Sequence, residues 1–226
     1  MNMQFRSNQA YGVKSTSAPL IAHAIAAGPV VPADWIMLDG FRMDRQCHTR
    51  WCWAAVTEAV LRYYDPLSAL TQRDIARIMM PDLPDGDFSA ACYTDLTVAQ
   101  DEVLNSNQIQ VLMSVLLVTG CFGDVHRIPD EPAPLRDVQR WIDGDAQGRR
   151  AVCARIRWPN GNAHFVAITG YRPGTNLLHV WDPWGPQSRN VPYEEFGEHY
   201  SSLDGRLADT SLEGKWVDTL YTRRPH

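Results

Sequence analysis

The chain has 226 residues, 45% of them apolar and 21% charged, with Gly and Pro at 15 each, a globular composition that excludes disordered and collagen-like classes. Lys and Arg number 21 against 26 Asp and Glu, a net charge of −5, so there is no general basic field to hold nucleic acid or an anionic lipid surface. No uninterrupted apolar run approaches the roughly 18 residues of a membrane helix: even residues 111–120 carry Ser114 and Thr119. Residues 1–39 read as an N-terminal arm, a docked tail or pro-segment. Its first 33 residues hold Arg6 and Lys14 but no acid, and its Ala-rich patch at 18–27 is broken by His23 and closed by Gly28-Pro29. That weakens the hydrophobic region a cleaved secretion leader needs, leaving the cytoplasm or export by another route.

Helical signals dominate from there to about residue 145. Residues 51–64 (WCWAAVTEAVLRYY) lack Gly and Pro, place Cys52, Val56, Ala59, Val60 and Tyr63 at helical spacing, and stop at Asp65-Pro66, which predicts a buried helix. Thr71 and Asp74 form a capping-box pattern ahead of Ile75, Ile78 and Met79, and Pro81 closes that second helix. Further helices are expected near 94–105, at 108–119 with Gly120 as its C-cap, and at 135–142 with Gly144 beyond. Residues 118–123 lack the Lys and Ser/Thr of a phosphate loop and read as a helix cap with a turn.

From Ala151 the period becomes two. Val152, Ala154, Ile156 and Trp158 alternate with Cys153, Arg155 and Arg157 before an Asn160-Gly161 turn, a strand followed by two more at 164–171 (HFVAITGY) and 177–181 (LLHVW). An antiparallel meander is implied, ending in a short helix near 194–200 and a last strand near 216–222. Two lobes result, a helical one over about 40–145 and a β lobe over about 146–226.

The chemistry concentrates at Gln46-Cys47-His48-Thr49-Arg50-Trp51-Cys52-Trp53-Ala54-Ala55. Gln46 followed six residues later by Cys-Trp-Ala resembles the active-site segment of papain-like cysteine peptidases, especially bacterial members that read WCWAA. The likeness continues at Gly161-Asn162-Ala163-His164-Phe165-Val166-Ala167-Ile168-Thr169-Gly170-Tyr171 and at Asp182-Pro183-Trp184, in the family's order. It implies an α+β papain-like fold, with the N-terminal helical lobe packed against the C-terminal antiparallel β lobe and the active site in the cleft between. By that resemblance Cys52, His164 and Asp182 are catalytic, Gln46 belongs to the oxyanion hole, and Trp51, Trp53 and Trp184 bind substrate or shield the site. Arg50 and Trp158 border the same cleft. The Gly-rich run of plant-type members is replaced here by His48-Thr49-Arg50-Trp51, which bears on substrate preference.

The residue types also make chemical sense by themselves. A cysteine at a helix N-terminus faces the positive end of the macrodipole, which favours a thiolate. His164 at the head of a strand can take the thiol proton and return it to a leaving amine. Asp182 can bind the other ring nitrogen and fix the tautomer, and the Gln46 amide can donate to an oxyanion beside the Cys52 N–H. The expected activity is peptide-bond hydrolysis through a thioester. The same set serves transamidation, deamidation or isopeptide cleavage, and a catalytically silent binding module is the alternative from another class. Protein or peptide substrates are the expected partners. The bacterial resemblance, to leader-processing and secreted effector or toxin peptidases, adds an inhibitor or immunity protein.

Five cysteines leave at least one thiol outside any disulfide. Cys47, Cys92, Cys121 and Cys153 read as structural thiols, or as one or two disulfides in an exported protein. Cys47-His48 with Cys52 has no second Cys/His pair at matching spacing, so neither a metal nor another cofactor is expected.

Overall fold

The helix expected at 51–64 forms as α1, Cys52–Tyr64, and every residue from Cys52 to Leu61 is buried. Small side chains at Ala54, Ala55 and Ala59 let neighbouring elements approach an interior helix closely. The computed structural model describes residues 34–48, 50–81, 109–185, 187–201 and 213–225. The helix expected near 94–105, Cys92 and the arm over 1–33 lie outside them. Helix α2 spans Gln72–Met79, and its capping box is present: the Thr71 hydroxyl accepts from the Asp74 N–H at 3.3 Å while the Thr71 N–H donates to the Asp74 carboxylate at 2.9 Å. Helix α3 (Ile109–Val118), helix α4 (Leu135–Asp143) and the short helix α5 (Tyr193–Glu198) follow.

Among the described residues, seven strands form one sheet: β1 Ile36–Met37, β2 Phe122–Val125, β3 Val152–Arg157, β4 Ala163–Tyr171, β5 Leu177–Asp182, β6 Gln187–Pro192 and β7 Lys215–Thr222. All pairings are antiparallel in the order β2-β7-β3-β4-β5-β6, with β1 also on β4. The meander β3 to β5 is the one the alternation implied, and β6 extends it. The central strand β4 is buried at all nine positions, so its apolar run reflects cover on both faces. The α+β architecture expected from the resemblance is therefore present.

Three features differ from the sequence reading. Strand β6 (QSRNVP) forms without apolar alternation, because it pairs along β5 at the sheet edge and buries only Val191. Strand β2 occupies part of the segment read as a cap and turn. Strands β1 and β2, from the segments read as the arm and the helical lobe, also join the sheet, and one buried cluster runs from Leu38 to Tyr221. Strand β1 lies within the segment read as an arm, and Leu38 is buried in the core. Cys121 and Cys153 are buried thiols with no disulfide; burial pushes Cys121 up to about 11 and Cys153 further.

Pairing of β1 depends on Gly170, which lies opposite Met37. A Cβ there would stand 2.7 Å from the Ile36 carbonyl oxygen and 2.9 Å from the Met37 side chain. Gly170→Ala is expected to cost about 1–3 kcal/mol of overpacking, read as a lower urea midpoint; an unchanged midpoint would show that β1 yields without penalty.

Candidate active site

The register of the β4–β5 hairpin sets the first half of the site. Ala167 pairs with Trp181, so continuing the ladder by one residue puts Asp182 across from Val166, and His164 lies two residues further along the same face. The His164 Nε2–H donates to Asp182 Oδ1 at 2.7 Å. That leaves Nδ1 for the Cys52 thiol, with which the ring shares a hydrogen bond. Cys52 opens α1, whose first turn carries no acid and whose N-cap, Trp51, makes no side-chain cap bond. Nothing on the helix offsets the positive dipole end at the sulfur. The three side chains expected to act together are thus brought together, at 1%, 6% and 1% exposure for Cys52, His164 and Asp182.

Burial by itself disfavours the imidazolium of His164. The Asp182 carboxylate and the bonds to Asp182 and Cys52 outweigh it, raising the ring from 6.5 to about 10. Burial alone would likewise raise the Asp182 carboxyl, yet the His164 charge and three hydrogen bonds hold it well below the usual carboxylate range. Besides His164, Oδ1 accepts the Trp184 backbone N–H at 2.9 Å and Oδ2 accepts the Tyr200 hydroxyl at 2.7 Å.

Gln46 is buried on the segment that leads to α1. Its Nε2 donates to the His48 carbonyl at 2.7 Å, and since a carbonyl can only accept, this fixes the orientation of the amide. Its backbone N–H donates to the Pro183 carbonyl at 2.8 Å, tying this segment to the turn beside Asp182. A family model described as Peptidase_C39 like family matches residues 38–206. The chain belongs to the Peptidase_C39-like family. That places it among proteins of cysteine peptidase type. No curated protein matches it.

Within this Peptidase_C39-like chain the tryptophans expected to bind substrate or shield the site are mostly interior. Trp51 and Trp53 are 1% and 0% exposed, so neither offers a face to a substrate; both are core side chains, Trp51 packing edge-on against His48 at 4.2 Å. Trp158, at 8%, packs against Tyr200. Trp184 and Arg50 are half-buried, and Trp184 reaches the site through its backbone N–H.

Tyr200 is the residue the sequence reading missed. It follows α5 by two residues, is 1% exposed, and is held by the edge of Phe196 at 5.3 Å and by Arg189, whose guanidinium lies 4.6 Å from its ring centre. Burial first, then the nearby Asp182 charge, push the phenol far above 10, so it stays a neutral donor at every ordinary pH. No motif marks it; only the return of the chain beside β5 brings it to Asp182. Tyr200→Phe is expected to cost about 1.5–3 kcal/mol at pH 7, the range for a bond to a charged group. Asp182 titrates below its unfolded value of 3.8, so this stabilisation is present above that pH and lost as pH falls through the folded value. Urea melts of parent and Tyr200→Phe should therefore converge in acid; a gap independent of pH would contradict the assignment.

Proposed function

We propose that this chain hydrolyses peptide bonds of a protein substrate through a thioester on Cys52. The observation that carries the reading is the hydrogen-bonded line from Cys52 through His164 to Asp182, set at the start of α1. The proton of Cys52 rests on His164 Nδ1 before substrate arrives, and the thiolate sulfur attacks the carbonyl carbon to form a tetrahedral oxyanion. The Cys52 backbone N–H and the second Nε2 hydrogen of Gln46 receive that charge. His164 passes its proton to the departing amine, the C–N bond breaks, and the thioester remains. Water then gives a proton to His164 and its oxygen to the acyl carbon; the C–S bond breaks, the acid leaves, and the thiolate–imidazolium pair is restored. Asp182 holds the tautomer and balances the imidazolium throughout.

Gln46→Ala should lower kcat by about 10²–10³-fold, the usual effect of losing one oxyanion donor. The alkaline limb of the kcat/KM profile reports loss of the His164 proton, so activity should persist well above pH 6.5 and fall only towards about 10. Asp182→Asn removes the charge that raises His164 and should move that limb to lower pH. A limb near 6.5 in the parent would contradict the pairing.

The resemblance to leader-processing and secreted effector peptidases supports a segment of another polypeptide as the substrate class. The deciding experiment incubates the protein and Cys52→Ala with a proteome-derived peptide library in heavy-oxygen water, read by mass spectrometry. Chain cleavage with one heavy oxygen in the new C-terminal carboxylate, absent in Cys52→Ala, is expected. Cysteine-dependent exchange at glutamine side chains without chain cleavage would instead establish a deamidase. Amine incorporation without heavy oxygen would establish a transamidase.

A further inference from the structure

We propose that Gln72 is a positioning residue for the oxyanion donor Gln46, an inference that rests on the reading of the site given above. Residues 41–46 have no regular secondary structure, so no helix or ladder fixes where the Gln46 side chain projects, although an oxyanion donor has to be placed to within a fraction of an ångström. The side chain of Gln72, at the start of α2, supplies that constraint. Its Nε2 donates to the Arg45 carbonyl at 2.9 Å and its Oε1 accepts the Cys47 N–H at 2.8 Å. These are the two backbone groups flanking Gln46. A residue in a parallel strand bonds its neighbour in this pattern, through the C=O of one residue and the N–H two positions on. The Gln72 carboxamide therefore stands in for a strand that the fold does not provide.

The clamp is itself held by the helix that bears Cys52. The other Nε2 hydrogen of Gln72 goes to Glu58 Oε2 at 3.1 Å, and Glu58 Oε1 accepts from Arg62 at 2.6 Å. The same Arg62 donates to Asp44 at 2.8 Å. Gln72 and Glu58 are 3% and 7% exposed, so these bonds sit largely out of water, where an unmet polar group is costly. Gln46 and Cys52 are in this way referred to one frame, α1, so that both donors of the oxyanion site keep their spacing.

The test is a kinetic cycle on the full chain, with the cleaved library peptide as substrate. Gln72→Met keeps the unbranched length of the side chain and removes both hydrogen-bonding ends. It is expected to lower kcat by about 10-fold or more, short of the effect of Gln46→Ala, with KM little changed. Alkylation of Cys52 by iodoacetamide needs no oxyanion donor and should proceed at the parental rate. In a Gln46→Ala background the Gln72→Met change should cost nothing further, the non-additivity of residues acting as one unit. Should Gln72→Met fail to fold, Gln72→Glu retains the acceptor for Cys47 and replaces it in the cycle. Equal losses in both backgrounds, parental kcat in Gln72→Met, or alkylation slowed in step with turnover would each overturn the proposal. A parent that is alkylated at Cys52 yet cleaves no peptide would overturn the reading of the site and the proposal together.

Discussion

The buried ion pair between His164 and Asp182, 2.7 Å apart and almost out of reach of water, is the constraint on which the rest of the molecule depends. Either charge alone in that position would be strongly destabilising, and loss of one partner of such a pair typically costs about 3–5 kcal/mol. The surrounding structure supplies what the pair needs. Tyr200 satisfies Oδ2, the carboxylate oxygen that His164 leaves open, the Trp184 N–H adds a second bond to Oδ1, and the low-dielectric surroundings strengthen each of these bonds. A fully satisfied buried network also admits few alternative arrangements, which suits a ring that has to present one nitrogen to sulfur.

Placement of the pair follows from the sheet, and placement of the sulfur from a helix end. Antiparallel pairing of β4 and β5 fixes His164 and Asp182 on one face, while burial of β4 at all nine positions makes that hairpin a rigid base. Helix α1 is buried along most of its length, so Cys52 cannot drift from the imidazole without disturbing the core. The segment carrying Gln46 joins the two: it is bonded to α1 through Gln72, Glu58 and Arg62, and to the turn after β5 through Pro183. Cys52, His164 and Gln46 are thereby set against one another by bonds that cross between the N-terminal and C-terminal halves.

What the amino-acid sequence disclosed, and what it withheld, has a physical logic. Helix α1 and strands β3, β4 and β5 were legible because they bury one or both faces, and burial writes a period into the chain. Cys52, His164 and Asp182 sit at the ends of those elements, within motifs whose order was enough to group them. Strand β6 was not legible, because its polar residues are held by the ladder to β5 rather than by burial. Trp51 and Trp53 flank Cys52 in the sequence, yet one caps α1 and the other sits in its first turn, and both rings are buried in the core. Tyr200 and Gln72 act through long-range contacts, with no local pattern to announce them. Each is a polar residue in an unremarkable helix or helix end until the tertiary fold brings a carboxylate or a strap of backbone against it.

Long-range proton–nitrogen NMR of the His164 ring across pH 6 to 11 reads the charge of this imidazole directly. Both ring nitrogens should carry a proton at pH 8, with titration towards about 10 that moves to lower pH in Asp182→Asn. A ring that is neutral at pH 8 and titrates near 6.5, indifferent to Asp182, would contradict the ion pair and the acyl-transfer chemistry built on it.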